Sequence, residues 1–194
     1  MANGRVLTGF SLPYVALYTA SSGSVTYSSG QILARGVSVE LDVNSASDDN
    51  IFYADNVAAE TVAGAFTGGT ATLTVDGLKD AASKLLLGLP TAGSDGFTDY
   101  GDSATIPYVG LGFVCRYMSD GVTEYVPVVL TKCRASMPSL SASTQEEDID
   151  WQTQELSFNV MRDDSANHTW QKVGAGVSTE AAAEAKIKTL FDIS

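Results

Sequence analysis

The sequence holds few of the residue types that usually carry chemistry. Histidine occurs once and cysteine twice, and 11 Lys and Arg residues stand against 23 Asp and Glu in 194 residues, a net charge of −12. His168 sits in a turn-like stretch with no Cys or His at metal-ligand spacing, which argues against a zinc site. Neither cysteine has a recognisable nucleophile context. There is no phosphate-cradling glycine motif followed by Lys-Ser/Thr. The scarce, scattered bases exclude an ordinary nucleic-acid groove, because phosphate contacts need clustered Lys and Arg. No apolar run approaches the length of a membrane span. In the opening "MANGRVLTGFSLPYVALYTASSG", Gly9 and Pro13 interrupt the apolar stretch, so it reads as a first strand and not as a signal peptide.

Other local patterns are equally thin. Asp163, Ser165 and Asn167 begin like a calcium loop, but His168 stands where the turn glycine belongs and Gly174 where the terminal Glu belongs. "EEDID" at 146–150 reads as a solvated acidic link before it reads as a cation site. Asn167-His168-Thr169 fits a glycosylation sequon, which only a secreted chain would use. Acidic pairs abound, yet nothing sets two of them across a cleft as a hydrolase would need. The chain is therefore read as a non-enzyme with no cofactor and no metal.

The residues present favour strands. The composition is 44% hydrophobic with 18 glycines, enough for one core of a mainly β (α+β) domain over residues 1–194. Residues 12–19 read as a strand and 20–30 as a turn-rich connection. In 36–43, Val37, Val39, Leu41 and Val43 alternate with Ser38, Glu40 and Asp42, a half-buried strand with an acidic outer face. "IFYADNVAAET" at 51–61 is ambiguous between strand and helix, and "TATLTVDG" at 70–77 alternates again. Leu78, Ala81, Ala82, Leu85 and Leu86 predict a helix over 77–87, capped by Asp76 and ended by Gly88. A loop of about 18 residues follows at 90–107, and such loops are usually functional or mobile. In 151–161, Leu156, Phe158 and Val160 share one face, with Thr153, Glu155 and Ser157 on the other. Residues 178–193 form a second amphipathic helix with Ala183, Ile187, Leu190 and Phe191 as its stripe.

The stretch "PYVGLGFVCRYMSDGVTEYVPVVLTKCR" at 107–134 predicts a long hairpin about Asp120-Gly121. That register sets Tyr117 against Glu124, Phe113 against Val128, Cys115 against Val126 and Val109 against Lys132. The cysteines then lie about seven rows apart, roughly 20 Å, and on opposite faces. They are too far apart for a disulfide, so two free thiols and a reducing compartment of synthesis are expected. One hairpin face is an ordinary core face. The other gathers Gly110, Gly112 and Val114 with Tyr125, Pro127 and Val129, and its glycines leave it flat enough for a bulky group to approach. The chain's own helix 77–87 or a neighbouring subunit covers it, or each covers a different portion. Pro127 should block a further strand beside it.

The order of these pieces resembles the major tail proteins of long-tailed bacteriophages, particularly the group common in phages of Gram-positive hosts. "IFYADNVAAET" with "ATLTVDGLKDAASKLLLG", "PYVGLGFVCRY" with its partner strand, and "STQEEDIDWQTQELSFNV" carry the likeness, over roughly residues 12 to 173. The resemblance implies a β-sandwich (tail-tube) fold with a flanking helix after residue 76. It implies a structural virion protein made in the bacterial host cytoplasm, whose hexameric rings stack into a tail tube. Tape-measure and terminator proteins would be its partners, DNA would pass without specific binding, and no membrane is involved. The helical segment 178–193 matches that family least.

A DNA conduit must not hold DNA, and acids on its wall repel phosphate and retain water. On that basis Ser38, Glu40, Asp42, Thr153, Glu155 and Ser157 are the expected lumen residues. Gly110, Gly112, Val114, Tyr125 and Val129 are the expected packing face for a helix or subunit. Loops 44–50 and 90–107 are the expected ring-to-ring contacts. The alternative is a carbohydrate-binding β-sandwich module of a phage or cell surface, with Trp151, Trp170 and Tyr100 stacking on sugars.

Overall fold

The computed structural model describes residues 4–45, 50–54, 57–62, 65–102, 104–138, 144 and 152–193. Among these, the elements in order are β1 (Val6–Ser21), β2 (Ser24–Ile32), β3 (Gly36–Ser45), β4 (Asn50–Ala54), β5 (Val57–Val62), β6 (Phe66–Val75), α1 (Asp80–Leu87), β7 (Tyr108–Ser119), β8 (Val122–Ala135), β9 (Gln154–Met161), β10 (Gln171–Val173) and α2 (Glu180–Leu190). The chain is mainly β. Eight strands form one antiparallel sheet in the order β2-β1-β7-β8-β9-β6-β3, with β10 also pairing β8; β4 and β5 form a separate hairpin. The stretch 51–61, ambiguous in sequence, is therefore strand in both halves. The sheet bends so that its far end approaches β1. The ring of Phe10 lies where a Cβ on Gly36 would be, and Leu33 N–H donates to the Pro13 carbonyl at 2.9 Å.

The β7–β8 hairpin forms as its turn chemistry dictates. Asp120 and Gly121 both take positive φ, 50° and 78°. That is the pairing of a tight hairpin turn whose twist matches the strands. Tyr117 pairs with Glu124, Phe113 with Val128 and Cys115 with Val126. Further out, a bulge sets Thr131 and Lys132 against Gly110, so Val109 faces Cys133 and not Lys132. One extra residue inverts side-chain parity. Cys133 therefore shares the core face with Cys115, where the unbroken register had set them on opposite faces. Both thiols are buried and free, and burial raises the pKa of each.

Two cores lie on the two sides of this hairpin. The larger gathers Val109, Leu111, Phe113, Val128 and Leu130 with Leu73, Leu156, Phe158 and Val160. Ala82, Leu86 and Leu87 of α1 pack into the same cluster. The second lies on the glycine face, and there the structure corrects the sequence reading. Its cover within the chain is α2, not helix 77–87. Val114 and Val129 pack with Ala183, Ile187 and Phe191 of the C-terminal segment, together with Tyr14, Ala16 and Tyr27. A Cβ on Gly112 would lie 2.8 Å from Ile187 and 3.0 Å from Phe191, and one on Gly110 would lie 2.9 Å from Phe191. The two glycines are the seat of the Phe191 ring. Tyr125 is half-buried at the edge of this cluster.

Smaller corrections have equally local causes. The connection read over 20–30 is mostly β2, entered through a Ser22-Gly23 turn with positive φ at both residues. Asp76 does not cap α1. Its carboxylate accepts from the Arg35 backbone N–H at 2.9 Å, and the helix starts later, after Lys79, with no side-chain cap. Gly88 ends α1 in the left-handed region, as expected. The Thr179 hydroxyl caps α2 by accepting from the Ala182 N–H at 3.3 Å, which satisfies one of the donors that a helix start leaves unpaired. At Pro127, where no N–H is available, β10 ends opposite Val128, yet the chain stays alongside. Gly174 N–H donates to the Pro127 carbonyl at 2.8 Å and Val177 bridges Tyr125, so the proline interrupts the ladder without excluding a neighbour as the sequence reading expected.

Candidate functional site

The feature most suited to a function is a polar sheet face on β3, β6 and β9. The registers align three rows across it: Ser38–Thr74–Glu155, Glu40–Thr72–Ser157 and Asp42–Thr70–Asn159. Neighbouring strands lie about 4.8 Å apart, so each row spans roughly 10 Å. The alternate residues Val39, Leu41, Leu73, Ala71, Leu156 and Phe158 face the main core. Burial of that side fixes the register, because a slip of one residue would drive the acids inward. Ser38, Glu40, Asp42, Thr70, Glu155 and Asn159 are exposed. Five of the six residues expected on a lumen wall thus share one face. Thr153 is exposed but precedes β9 and joins no row.

Sequence reasoning passed over Thr70, Thr72 and Thr74, which supply the middle of every row. Their signal was present in "TATLTV", whose hydroxyl residues alternate with Ala71, Leu73 and Val75. It also passed over Arg134. Arg134 pairs with Asn159 on one side and Tyr108 on the other, extending the third row toward β7. At that corner Asn44, Thr70, Ser136, Ser157 and Asn159 line a shallow open groove.

β3 ends the strand order. Among the described residues its outer edge pairs with no strand. Val37 and Val43 on this edge strand are 56% and 48% exposed, whereas Val39 and Leu41 between them are half-buried. Phe10 of β1 covers the start of this edge at Gly36, and the remainder, with partly uncovered apolar side chains, is a template for another chain.

The other candidates do not converge. Trp170 stacks on Phe66 (centroids 4.6 Å apart, planes 3° apart) and packs on the core. Tyr100 is exposed on the 88–107 loop, in a groove with Asp80, Ser83 and Lys84. Trp151 and the acidic stretch 146–150 lie outside the described residues, as does part of loop 44–50. The "DDSAN" stretch is a turn: buried Asp163 accepts from the Ser165 N–H at 3.1 Å and its hydroxyl at 2.5 Å. His168 helps close it, with Nδ1 3.4 Å from the Asp163 carbonyl. Among the described residues no three His, Cys, Asp or Glu side chains are grouped to hold a metal ion, and no helix is long and apolar enough to cross a membrane. No protein-family model and no curated protein matches the chain.

Polar groups at the margin of the second core hold α2 in place. Glu184 bridges the helix, accepting from Lys188 at 2.8 Å and from the Tyr14 hydroxyl at 2.5 Å. The Lys188 bond first, then the Tyr14 bond, hold the Glu184 carboxyl below its ordinary value of 4.5, since donors to a carboxylate favour its charged form. A depressed folded-state pKa stabilises the fold above the unfolded value, and the benefit is lost as pH falls through the folded value. Glu184→Gln should therefore melt lower than wild type at pH 7, with the gap shrinking below about pH 4. Thermal melts across pH 3–7 check this, and a gap constant with pH would refute it. On the opposite flank Asp164 accepts from Lys132 and from the Tyr18 hydroxyl, each at 2.7 Å. Burial and then that carboxylate push the Tyr18 phenol up to about 12.

Proposed function

We propose that this chain is a tail-tube subunit of a long-tailed bacteriophage, folded as the tail-tube variant of the β-sandwich. Six copies form a ring, rings stack into a hollow tube, and the β3–β6–β9 face lines the bore through which DNA slides. One observation carries this reading: the nominated polar residues stand in register on an open face that ends in an unpaired edge strand. An edge strand of one copy adding to the sheet of the next would continue the same rows around a ring. Repetition would then ring the bore with Glu40, Asp42 and Glu155, three acids against the one cation Arg134 on the same rows, and their summed field repels phosphate. The glycine face of the hairpin gives this reading no support, because α2 fills it within one chain. The sugar-binding alternative is less supported, since the Trp170 ring is already stacked on Phe66.

Negative-stain microscopy of the purified protein over a range of concentrations tests the proposal. Rings and hollow tubes are expected. A monomer persisting at every concentration would overturn it.

A further inference from the structure

We infer that the turn carrying Phe97 docks into a second copy of the chain, in the groove between the β2–β3 connection and the start of α1. This deepens the tube reading and rests on it, since it names the contact that joins one ring to the next.

The knob is a built structure. Gly88 closes α1 so tightly against the far end of the loop that a Cβ there would run into the Thr105 carbonyl oxygen. The loop 88–107 therefore leaves and returns at one point, in the manner of a compact Ω-loop. Within it, Gly93 N–H donates to the Phe97 carbonyl at 2.8 Å, Gly96 N–H to the Gly93 carbonyl at 3.0 Å, and Phe97 N–H to the Asp95 carboxylate at 3.2 Å. Gly96 has a φ of 83°, a conformation that suits glycine. These bonds pair the turn's polar groups with one another while leaving Phe97 71% exposed. A rigidly presented aromatic loses little freedom on docking, which is how interface anchors work.

Charge selects the socket. The knob carries Asp95, Asp99 and Asp102, and residues 88–107 contain no Lys or Arg. The groove is lined by Ile32, Ala34, Arg35, Asp76, Gly77 and Lys79. Ile32, Ala34 and Gly77 give it some apolar or bare surface, and it carries two cations against the single carboxylate of Asp76, in a chain poor in cations. The Arg35 side chain is 92% exposed, with Asp76 only at 4.0 Å. Among the described residues no carboxylate forms an ion pair with Lys79. An acidic turn with one aromatic point meets there a mixed groove whose two bases outnumber its one acid, Asp76. Knob and socket are different surfaces, so every copy offers one of each and the contact propagates.

The experiment compares wild type with Phe97→Ser, with Arg35→Glu/Lys79→Glu, and with that pair combined with Asp95→Lys/Asp99→Lys. Sedimentation velocity and negative stain are the readouts. All four chains should give the same far-UV dichroism, because the changed side chains are on the surface. Phe97→Ser and the reversed socket should give rings that do not stack, or raise the concentration needed for tubes at least tenfold. The combined reversal should restore stacking. If both single-surface variants form tubes at wild-type concentrations, the docking inference fails and the tube reading stands. If wild type itself forms no assembly, both fail together.

Discussion

Phe191→Ala will lower the unfolding free energy by about 3–5 kcal/mol, the usual loss for a fully buried aromatic that leaves a cavity. Phe191 is 0% exposed and meets Tyr27 at 5.0 Å between ring centroids. It stands on Gly110 and Gly112, where the sheet has no side chain of its own to refill the space. Domains are stable by about 5–15 kcal/mol, so the variant should be marginal near physiological temperature. Gly112→Val attacks the same seat from below. Its Cβ would start 2.8 Å from Ile187. Overpacking of this kind should cost about 1–3 kcal/mol. Ala181→Ser, on the exposed side of α2, should shift stability by less than about 0.5 kcal/mol. Urea titrations followed by near-UV dichroism measure all three. A midpoint for Phe191→Ala equal to wild type would mean that Phe191 does not rest on Gly110 and Gly112.

The second large effect is on assembly. Val37→Lys/Val43→Lys should leave the monomer's stability to urea within about 0.5 kcal/mol of wild type, since both side chains are already half in water. It should nevertheless abolish rings, because lysines on an edge strand are a standard means of preventing strand addition. The wall can be tested apart from the joint. Thr70→Lys/Glu155→Lys/Asn159→Lys changes only the β6 and β9 part of the open face and leaves the β3 edge as it is, so tubes should still form. Such tubes should hold DNA, with an affinity that falls steeply as salt rises, whereas wild-type tubes ignore it. Filter binding from about 50 to 200 mM salt reads the difference, over which several phosphate contacts change affinity by about 10³-fold or more. Reversed tubes as indifferent to DNA as wild type would remove the electrostatic role of the face.

The parts legible in the sequence were those governed by local chemistry. Asp120-Gly121 fixed the hairpin because two successive positive φ angles suit that pair. Strict alternation exposed the polar face of β3 and β9 because Val39 and Leu41 on one and Leu156, Phe158 and Val160 on the other turn to the core. What stayed hidden depended on distant partners. β2 reads as turn because Ser and Gly dominate it, and its one deeply buried ring, Tyr27, matters only beneath α2. Both helices have short apolar stripes, and nothing in either says which side of the hairpin it will cover. The bulge at Thr131-Lys132 has no glycine to announce it, yet it moved Cys133 to the other face. Asp76 has the chemistry of a helix cap and found a better donor in the Arg35 backbone.

Because the hairpin is the wall between two separate cores, the molecule should come apart in stages when watched by hydrogen–deuterium exchange. The amides of α2 report one small cluster and should open first, in a sub-global event. Those of Val114 and Val129 stay shielded from the other side by the larger cluster. They should exchange only when the entire chain lets go, which makes them the internal clock for its global unfolding.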